Sequence, residues 1–367
     1  MFVTILSILL AVYIPWQVNL HMREVLIALV GTLMLTTNLK VLFPIRRPYI
    51  FVILSLSIIF TGYLLYAING ADAVVITFII LLLTNLFVVV FMFLFYDKQH
   101  QLLFTSINSA LILFVFAWYL QFFVYYTTGH YIDFLQPITG EAQRYQAYFS
   151  SSSFFIRPTS VFNEPGTYAM ATLPYLVLSY LENRKLTRLH YFTLASYFLS
   201  LSLFAIVVAA AFVIIVMLYK ILSDPSINKG KMISIFLIVS SILLLGIKTY
   251  NDYRFNSAVN LRQIDLRANV INGWLAEDEK SLIFGNGFDI NEKTADATDS
   301  SLYFRVVYDY GLLSLPLFIL CFYMAWGLPL FFILVVFLTK ISYFHYLFWY
   351  FMAALMVLNQ RKRHPNN

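Results

Sequence analysis

The sequence predicts an all-α, polytopic membrane protein of about twelve transmembrane helices, with two long loops on one side of the membrane. Three observations lead there. Of the 367 residues, 61% are hydrophobic and 11% charged, against roughly 45–50% apolar and about 25% charged in a soluble domain. The apolar residues gather in runs of roughly 20, the length a helix needs to cross a bilayer core about 30 Å thick. The basic residues collect in short connections that alternate along the chain, as cytoplasmic loops do. This composition excludes a soluble globular enzyme. It also excludes a disordered chain, which needs low hydrophobicity and high charge. The net charge of +6 would suggest nucleic acid in a soluble protein. Here it reflects loop placement, and no nucleic-acid partner is expected. Residues 1–367 are expected to form a single membrane-embedded domain.

The expected spans are 2–20, 25–39, 49–68, 73–95, 102–126, 165–181, 190–201, 203–222, 232–249, 303–325, 328–339 and 342–358. The first is expected to stay in the protein, because no basic segment precedes it and no small-residue cleavage site follows. The run 189–220 is too long for one straight helix and too short for two full spans. It reads as a short or re-entrant helix pair turning near 200–202. Gly327 and Pro329 mark a tight break between the next two spans. The one cysteine, Cys321, lies in an apolar run, so neither a disulfide framework nor a Cys-based metal site is expected.

With the N-terminus in the cytoplasm, the cytoplasmic segments are 40–48, 96–101, 182–189, 220–231, 326–328 and 359–367. They hold 13 basic residues against three acids, Asp97, Glu182 and Asp224. Both termini are then cytoplasmic, and the long loops 127–164 and 250–302 lie outside. Loops beyond about 12–15 residues are usually functional or disordered, so function is sought in these two. No internal repeat, low-complexity tract or soluble domain is visible.

The first loop ends in Arg157-Pro158-Thr159-Ser160-Val161-Phe162-Asn163-Glu164-Pro165-Gly166 and runs directly into a span. Pro165 suits the first turn of a helix, which puts Glu164 at a helix N-terminus, where negative charge is favoured. The plain reading makes Glu164 a helix cap and Arg157 an interfacial anchor. The second loop holds Arg254, Arg262 and Arg267, then Gly285-Asn286-Gly287-Phe288, then Asp299-Ser300-Ser301-Leu302-Tyr303. Planar guanidinium groups suit bidentate phosphate contacts. A solvated surface, or salt bridges to Glu277, Asp278 and Glu279, would explain the same arginines. Asp309 falls inside a span, near its outer end, and is a functional candidate on that ground. The six histidines are scattered, with no paired metal-ligand spacing and no Walker A sequence.

The pattern resembles the Wzy-type polysaccharide polymerases of the O-antigen polymerase and ligase superfamily. Three stretches carry the resemblance: Arg157 to Ala169, with an Arg followed by Phe-x-Glu-Pro before a span; the Arg262 region leading to Phe284-Gly285-Asn286-Gly287-Phe288; and Asp299-Ser300-Ser301-Leu302-Tyr303 continuing to Tyr310-Gly311-Leu312-Leu313. The plan of about twelve spans and two large outer loops covers the whole chain, while the motifs cover about 50 residues.

The resemblance implies a GT-C-like, integral-membrane glycosyltransferase in the bacterial cytoplasmic membrane. It joins undecaprenyl-pyrophosphate-linked oligosaccharide units for an O-antigen, capsule or exopolysaccharide, and uses neither cofactor nor metal. Donor and acceptor are both lipid-linked, and a chain-length regulator and a flippase are the implied partners. Departure of the pyrophosphate builds negative charge, which positioned cations stabilise in a water-poor site. Arg157, Arg262 and Arg267 are the expected cations, with Arg254 nearby. The acceptor hydroxyl needs a base: Glu164 is preferred and Asp299 orients, or the reverse. The ligase branch carries a His near the start of the span after the second loop, where this chain has Asp299-Ser300, which favours polymerase over ligase. A lipid-linked oligosaccharide flippase fits the span count, but the spans carry almost no charge to line a cavity.

Overall fold

The computed structural model describes residues 100–140, 142–145, 155–223, 229–255, 279–285, 306–308, 310–315, 330–337 and 346–363, with residues 272, 319, 339 and 341 besides. The expected spans at 2–20, 25–39, 49–68 and 73–95 lie outside them, as do most of 303–325 and most of the second long loop. Among the described residues the chain is helical, with no β-strand. It divides into two compact units, 110–264 with 329–336, and 1–109 with 265–328 and 337–367.

Helix α1 (His100–Thr128), which belongs to the first unit from 110 onward, covers the expected span 102–126 and stops at Gly129. That residue has φ 74°, and its N–H donates to the Tyr125 carbonyl at 2.8 Å. A residue in left-handed conformation just past the last turn is a common helix stop, and glycine takes it without strain. After a single turn, α2 (Gln136–Thr139), comes α3 (Pro165–Asn183). It starts at the proline that the sequence marks as a first-turn residue. Sixteen of its nineteen residues are buried, which makes it the central helix of the unit, since only a surrounded helix buries every face.

The run 189–220 forms the expected pair. It consists of α4 (Arg188–Leu199) and α5 (Leu203–Ser223), joined through Leu201 at φ 50°. The Ser200 hydroxyl closes the end of α4 by donating to the Tyr197 carbonyl at 2.7 Å. Helix α4 spans about 18 Å at 1.5 Å per residue, short of a full crossing. It runs antiparallel to α3, and a polar seam joins the two: Tyr168 to Ser196 at 2.7 Å, Thr172 to Tyr197 at 2.7 Å, and Ser179 to His190 at 2.9 Å.

Helix α6 (Lys229–Phe255) runs six residues past the expected end of its span at 249. The second long loop therefore begins later than expected, and Arg254 lies in the last turn of a helix, not in a loop. Among the described helices, Leu103–Thr128 and Leu203–Leu222 are long and apolar enough to cross a membrane; Ile233–Thr249 and Tyr350–Asn359 are shorter apolar stretches. An aromatic cluster of Tyr180, Phe212, Tyr219 and Phe332 closes the far end of α3, where Phe332 comes from α8 (Leu330–Phe337). Arg184 ends α3 at φ 54° and donates from Nη1 to the Tyr219 hydroxyl at 2.9 Å.

The second unit contains α7 (Glu279–Phe284), a 3₁₀ turn (Gly311–Ser314) and α9 (Tyr346–Arg363). Helix α7 falls inside the expected loop 250–302, which is therefore partly helical.

Candidate functional site

The first long loop is folded onto α1 by two glutamine side chains. Gln121 is fully buried on α1. Its Oε1 accepts from the backbone N–H of Thr159 at 3.0 Å and of Ser160 at 2.7 Å. Its Nε2 shares two hydrogens among the Ile132 carbonyl at 3.0 Å, the Ser160 carbonyl at 2.8 Å and Gln143 Oε1 at 2.8 Å. Gln143, also buried, donates from Nε2 to the carbonyls of Ser160 and Phe162, both at 2.8 Å. Between them the two amides serve four backbone groups of residues 159–162. A buried backbone group left without its partner costs about 1–3 kcal/mol, so these bonds decide whether the segment can lie against an apolar helix at all.

Ser160 sits at φ 59°, a left-handed conformation that costs a non-glycine residue on the order of 1–3 kcal/mol and persists only where the surroundings over-determine it. Here its N–H and C=O are held by the glutamines, and its hydroxyl donates to the Phe114 carbonyl of α1 at 2.7 Å. Phe162 then fills the groove between α1 and α3. It is fully buried, with its ring 5.3 Å from Phe114 and 6.3 Å from Tyr168. The Phe of the Phe-x-Glu-Pro pattern is thus a packing anchor that fixes where α3 begins.

The rest of the loop braces this core. Asp133 accepts from the N–H groups of Leu135, Gln136 and Gln143, each at 2.8 Å. Tyr131 stacks on Tyr145 with centroids 3.8 Å apart. Its hydroxyl donates to Gln143 Oε1 at 3.2 Å and meets Thr159 Oγ1 at 3.2 Å. Burial pushes the Tyr131 phenol well above its ordinary value, so it keeps its proton and remains a donor. Backbone bonds from Arg157 to Tyr145 and from Arg144 to Asn163, each 2.7 Å, tie the two arms of the loop together. Two buried polar atoms, Trp118 Nε1 and Asn163 Oδ1, have no hydrogen-bond partner. Trp118 shares the face of α1 that carries Phe114 and Gln121, by its spacing of four and three residues.

Arg157 and Glu164 flank the pinned segment. Arg157 is 6% exposed, too buried for a plain interfacial anchor. Glu164 is the N-cap residue of α3, in extended backbone at φ −148°, and its side chain makes no capping hydrogen bond. Among the described residues its carboxylate accepts one hydrogen bond, from the Thr167 hydroxyl at 3.5 Å. The cap reading is therefore right about the position and wrong about the carboxylate. Arg254 is placed in the last turn of α6, as above. Arg262, Arg267, Asp299 and Asp309 lie outside the described residues. Among the described residues no three His, Cys, Asp or Glu gather to hold a metal ion. His190 is structural: its Nδ1 accepts from the Thr187 N–H at 2.8 Å, which leaves Nε2 to meet Ser179.

The second and third motif stretches meet in the other unit. Gly311, at φ 55°, lies so close to the end of α7 that a Cβ there would stand 2.5 Å from the Leu282 carbonyl oxygen, 2.6 Å from that of Ile283 and 2.7 Å from the Gly285 nitrogen. Gly285, at φ 76°, closes α7 with its N–H on the Ser281 carbonyl at 2.8 Å. Both glycines are needed for one turn-on-turn contact.

No family model, curated protein or solved structure matches the chain. Of the residues that build the site, sequence reasoning missed Gln121, Gln143, Tyr131 and Asp133. A glutamine inside the aromatic run of α1 was the available signal for the first of these, because a polar group in an apolar helix must find partners.

Proposed function

We propose that the chain is a Wzy-type polymerase of the bacterial cytoplasmic membrane, with about twelve spans and both termini in the cytoplasm. It transfers a growing glycan from undecaprenyl pyrophosphate to a hydroxyl of an incoming lipid-linked unit. The observation that carries this reading is a buried arginine and a helix-start carboxylate placed seven residues apart on one backbone segment that side-chain hydrogen bonds anchor between them. Arg157 stabilises the charge that develops on the departing pyrophosphate, and Glu164 takes the proton of the attacking hydroxyl. Arg262 and Arg267 add cationic contacts, and Asp299 orients the acceptor. The chemistry balances without a cofactor: the glycosidic C–O bond to phosphate breaks, a new C–O bond forms, and the hydroxyl proton leaves on the base.

The test is the surface glycan of a deletion strain complemented with variants. Single-repeat glycan in the deletion strain, long chains on complementation, and single repeats again with Arg157→Ala at normal abundance support the polymerase. Arg157→Lys keeps the charge and loses the planar fork, so it stays impaired. Full-length chains left unattached in the deletion strain would instead indicate a ligase, the second reading. Wild-type glycan throughout would sink both.

A further inference from the structure

Residues 159–162 lie unusually far down α1. The Ser160 hydroxyl bonds the Phe114 carbonyl, which lies 14 residues, or about 21 Å, before the end of the helix at 1.5 Å per residue. Measured from Leu103, where the apolar stretch begins, Phe114 stands at about 16 Å and Gln121 at about 27 Å. An apolar core is about 30 Å thick, so the segment seated between those two residues falls in its outer half. Non-helical backbone is tolerated at such depth only where protein satisfies its polar groups. That condition is met here: Gln121 and Gln143 serve the N–H of Thr159 and Ser160 and the C=O of Ser160 and Phe162. The Thr159 carbonyl takes the Phe162 N–H at 3.1 Å. Thr159, Ser160 and Phe162 are fully buried. Gln121 holds most of this together, and no reacting group need touch it.

We propose that the chain from 155 to 164 re-enters the outer half of the membrane and that Gln121 is the positioning residue that keeps it there, setting Arg157 and Glu164 at the level of a lipid-borne phosphate. The re-entry rests on the membrane reading of α1, and the effect on activity rests on the polymerase reading above.

The experiment separates the two. In a Cys321→Ser background, a bimane probe is attached at Val161→Cys or at the exposed Gln136→Cys, with the full chain in lipid nanodiscs. Quenching is measured with a lipid that carries a nitroxide on its upper acyl chain and with aqueous iodide. The lipid nitroxide should quench Val161 better than iodide does, and the order should reverse at Gln136. Adding Gln121→Leu should raise iodide quenching at Val161 at least severalfold and leave Gln136 unchanged. Iodide quenching at Val161 equal to that at Gln136 in the parent would overturn the re-entry. Quenching at Val161 untouched by Gln121→Leu would overturn the positioning role. If Gln121→Leu does not accumulate, Gln121→Glu replaces it, because it keeps the acceptor for both N–H groups and loses the donors; it should also raise iodide quenching. In the chain-length assay Gln121→Leu should cut long chains at least a hundredfold at normal abundance; wild-type chain lengths there would overturn its positioning of Arg157 and Glu164. A parent protein that makes no polymer would remove the polymerase reading and leave the quenching result standing.

Discussion

Replacing Gly311 with alanine tests whether two of the three motif stretches are joined by backbone contact. Two costs can be worked separately. The first is conformational: at φ 55° an L-residue in the left-handed region costs on the order of 1–2 kcal/mol. The second is steric. The new Cβ would lie 2.5–2.7 Å from two carbonyl oxygens and one nitrogen of 282–285. All three are backbone atoms, so no side chain can swing aside and the end of α7 must move. Forcing an extra methyl into a packed contact costs roughly 1–3 kcal/mol. The sum is about 2–5 kcal/mol. Gly129→Ala supplies the control, because Gly129 has φ 74° and nothing within 4 Å of a built Cβ, which leaves only the conformational part. The assay is the thermal midpoint of the purified protein by intrinsic fluorescence. A kcal/mol is worth about 2–4 °C in chains of 150–250 residues. Gly311→Ala should therefore melt about 2–12 °C below Gly129→Ala. Equal midpoints for the two variants would refute the steric argument.

Three further outcomes follow from the first unit and the loop pattern. Glu164→Gln should keep the thermal midpoint of the parent, because the carboxylate makes no capping bond, while chain formation falls about 10²–10⁴-fold; wild-type chains would move the base to Asp299. Tyr131→Phe loses the hydroxyl contacts to Gln143 and Thr159 and should cost about 1–2 kcal/mol. Since burial raises the folded-state phenol above its unfolded value near 10, the parent loses stability from this group as pH climbs past about 10, where the unfolded chain ionises first. The Phe variant should show a shallower decline there in pH-dependent melting. Reporters fused after Asn228 and at the C-terminus should report cytoplasm, and those near Gly140 and Thr294 the outside; an external C-terminus would separate the two long loops from the assumed common side.

The parts of this architecture that local chemistry dictates were legible in the sequence. Pro165 announces the start of α3, and the serines at 200 and 202 mark the break between α4 and α5, because a missing N–H and a short hydroxyl act within one turn of themselves. The end of α6 was not legible. Hydropathy falls after Thr249, but Tyr250, Asn251, Asp252, Tyr253 and Arg254 contain neither glycine nor proline, and nothing there stops backbone hydrogen bonding. Hydropathy locates where a helix leaves an apolar layer, not where the helix ends. The glutamine hub was hidden for a different reason. Gln121 meets partners 22 and 39 residues away, and no short-range pattern encodes such pairing. Gly311 was visible as a motif residue, but its reason, the approach of 282–285, exists only in three dimensions.

The choice of glutamine for that hub has a physical logic of its own. Residues 159 and 160 present two donors, and residues 132 and 160 two acceptors, to Gln121 on α1. A carboxylate would satisfy the donors and repel the carbonyls. An ammonium would satisfy the carbonyls and leave the donors unpaired. Either would also place a charge among apolar side chains, where desolvation costs several kcal/mol. An amide carries an acceptor and two donors on one planar group and adds no charge. Asparagine has the same head on a stem one methylene shorter, so from the same helix position it reaches less far. Among the described residues of the loop, Asp133 is occupied at 2.8 Å by three backbone N–H groups around α2. The scaffold that positions Arg157 and Glu164 is therefore built from neutral amides and one engaged carboxylate. Such a frame fixes geometry without adding a further charge, as the proposed site for a lipid-borne phosphate would require.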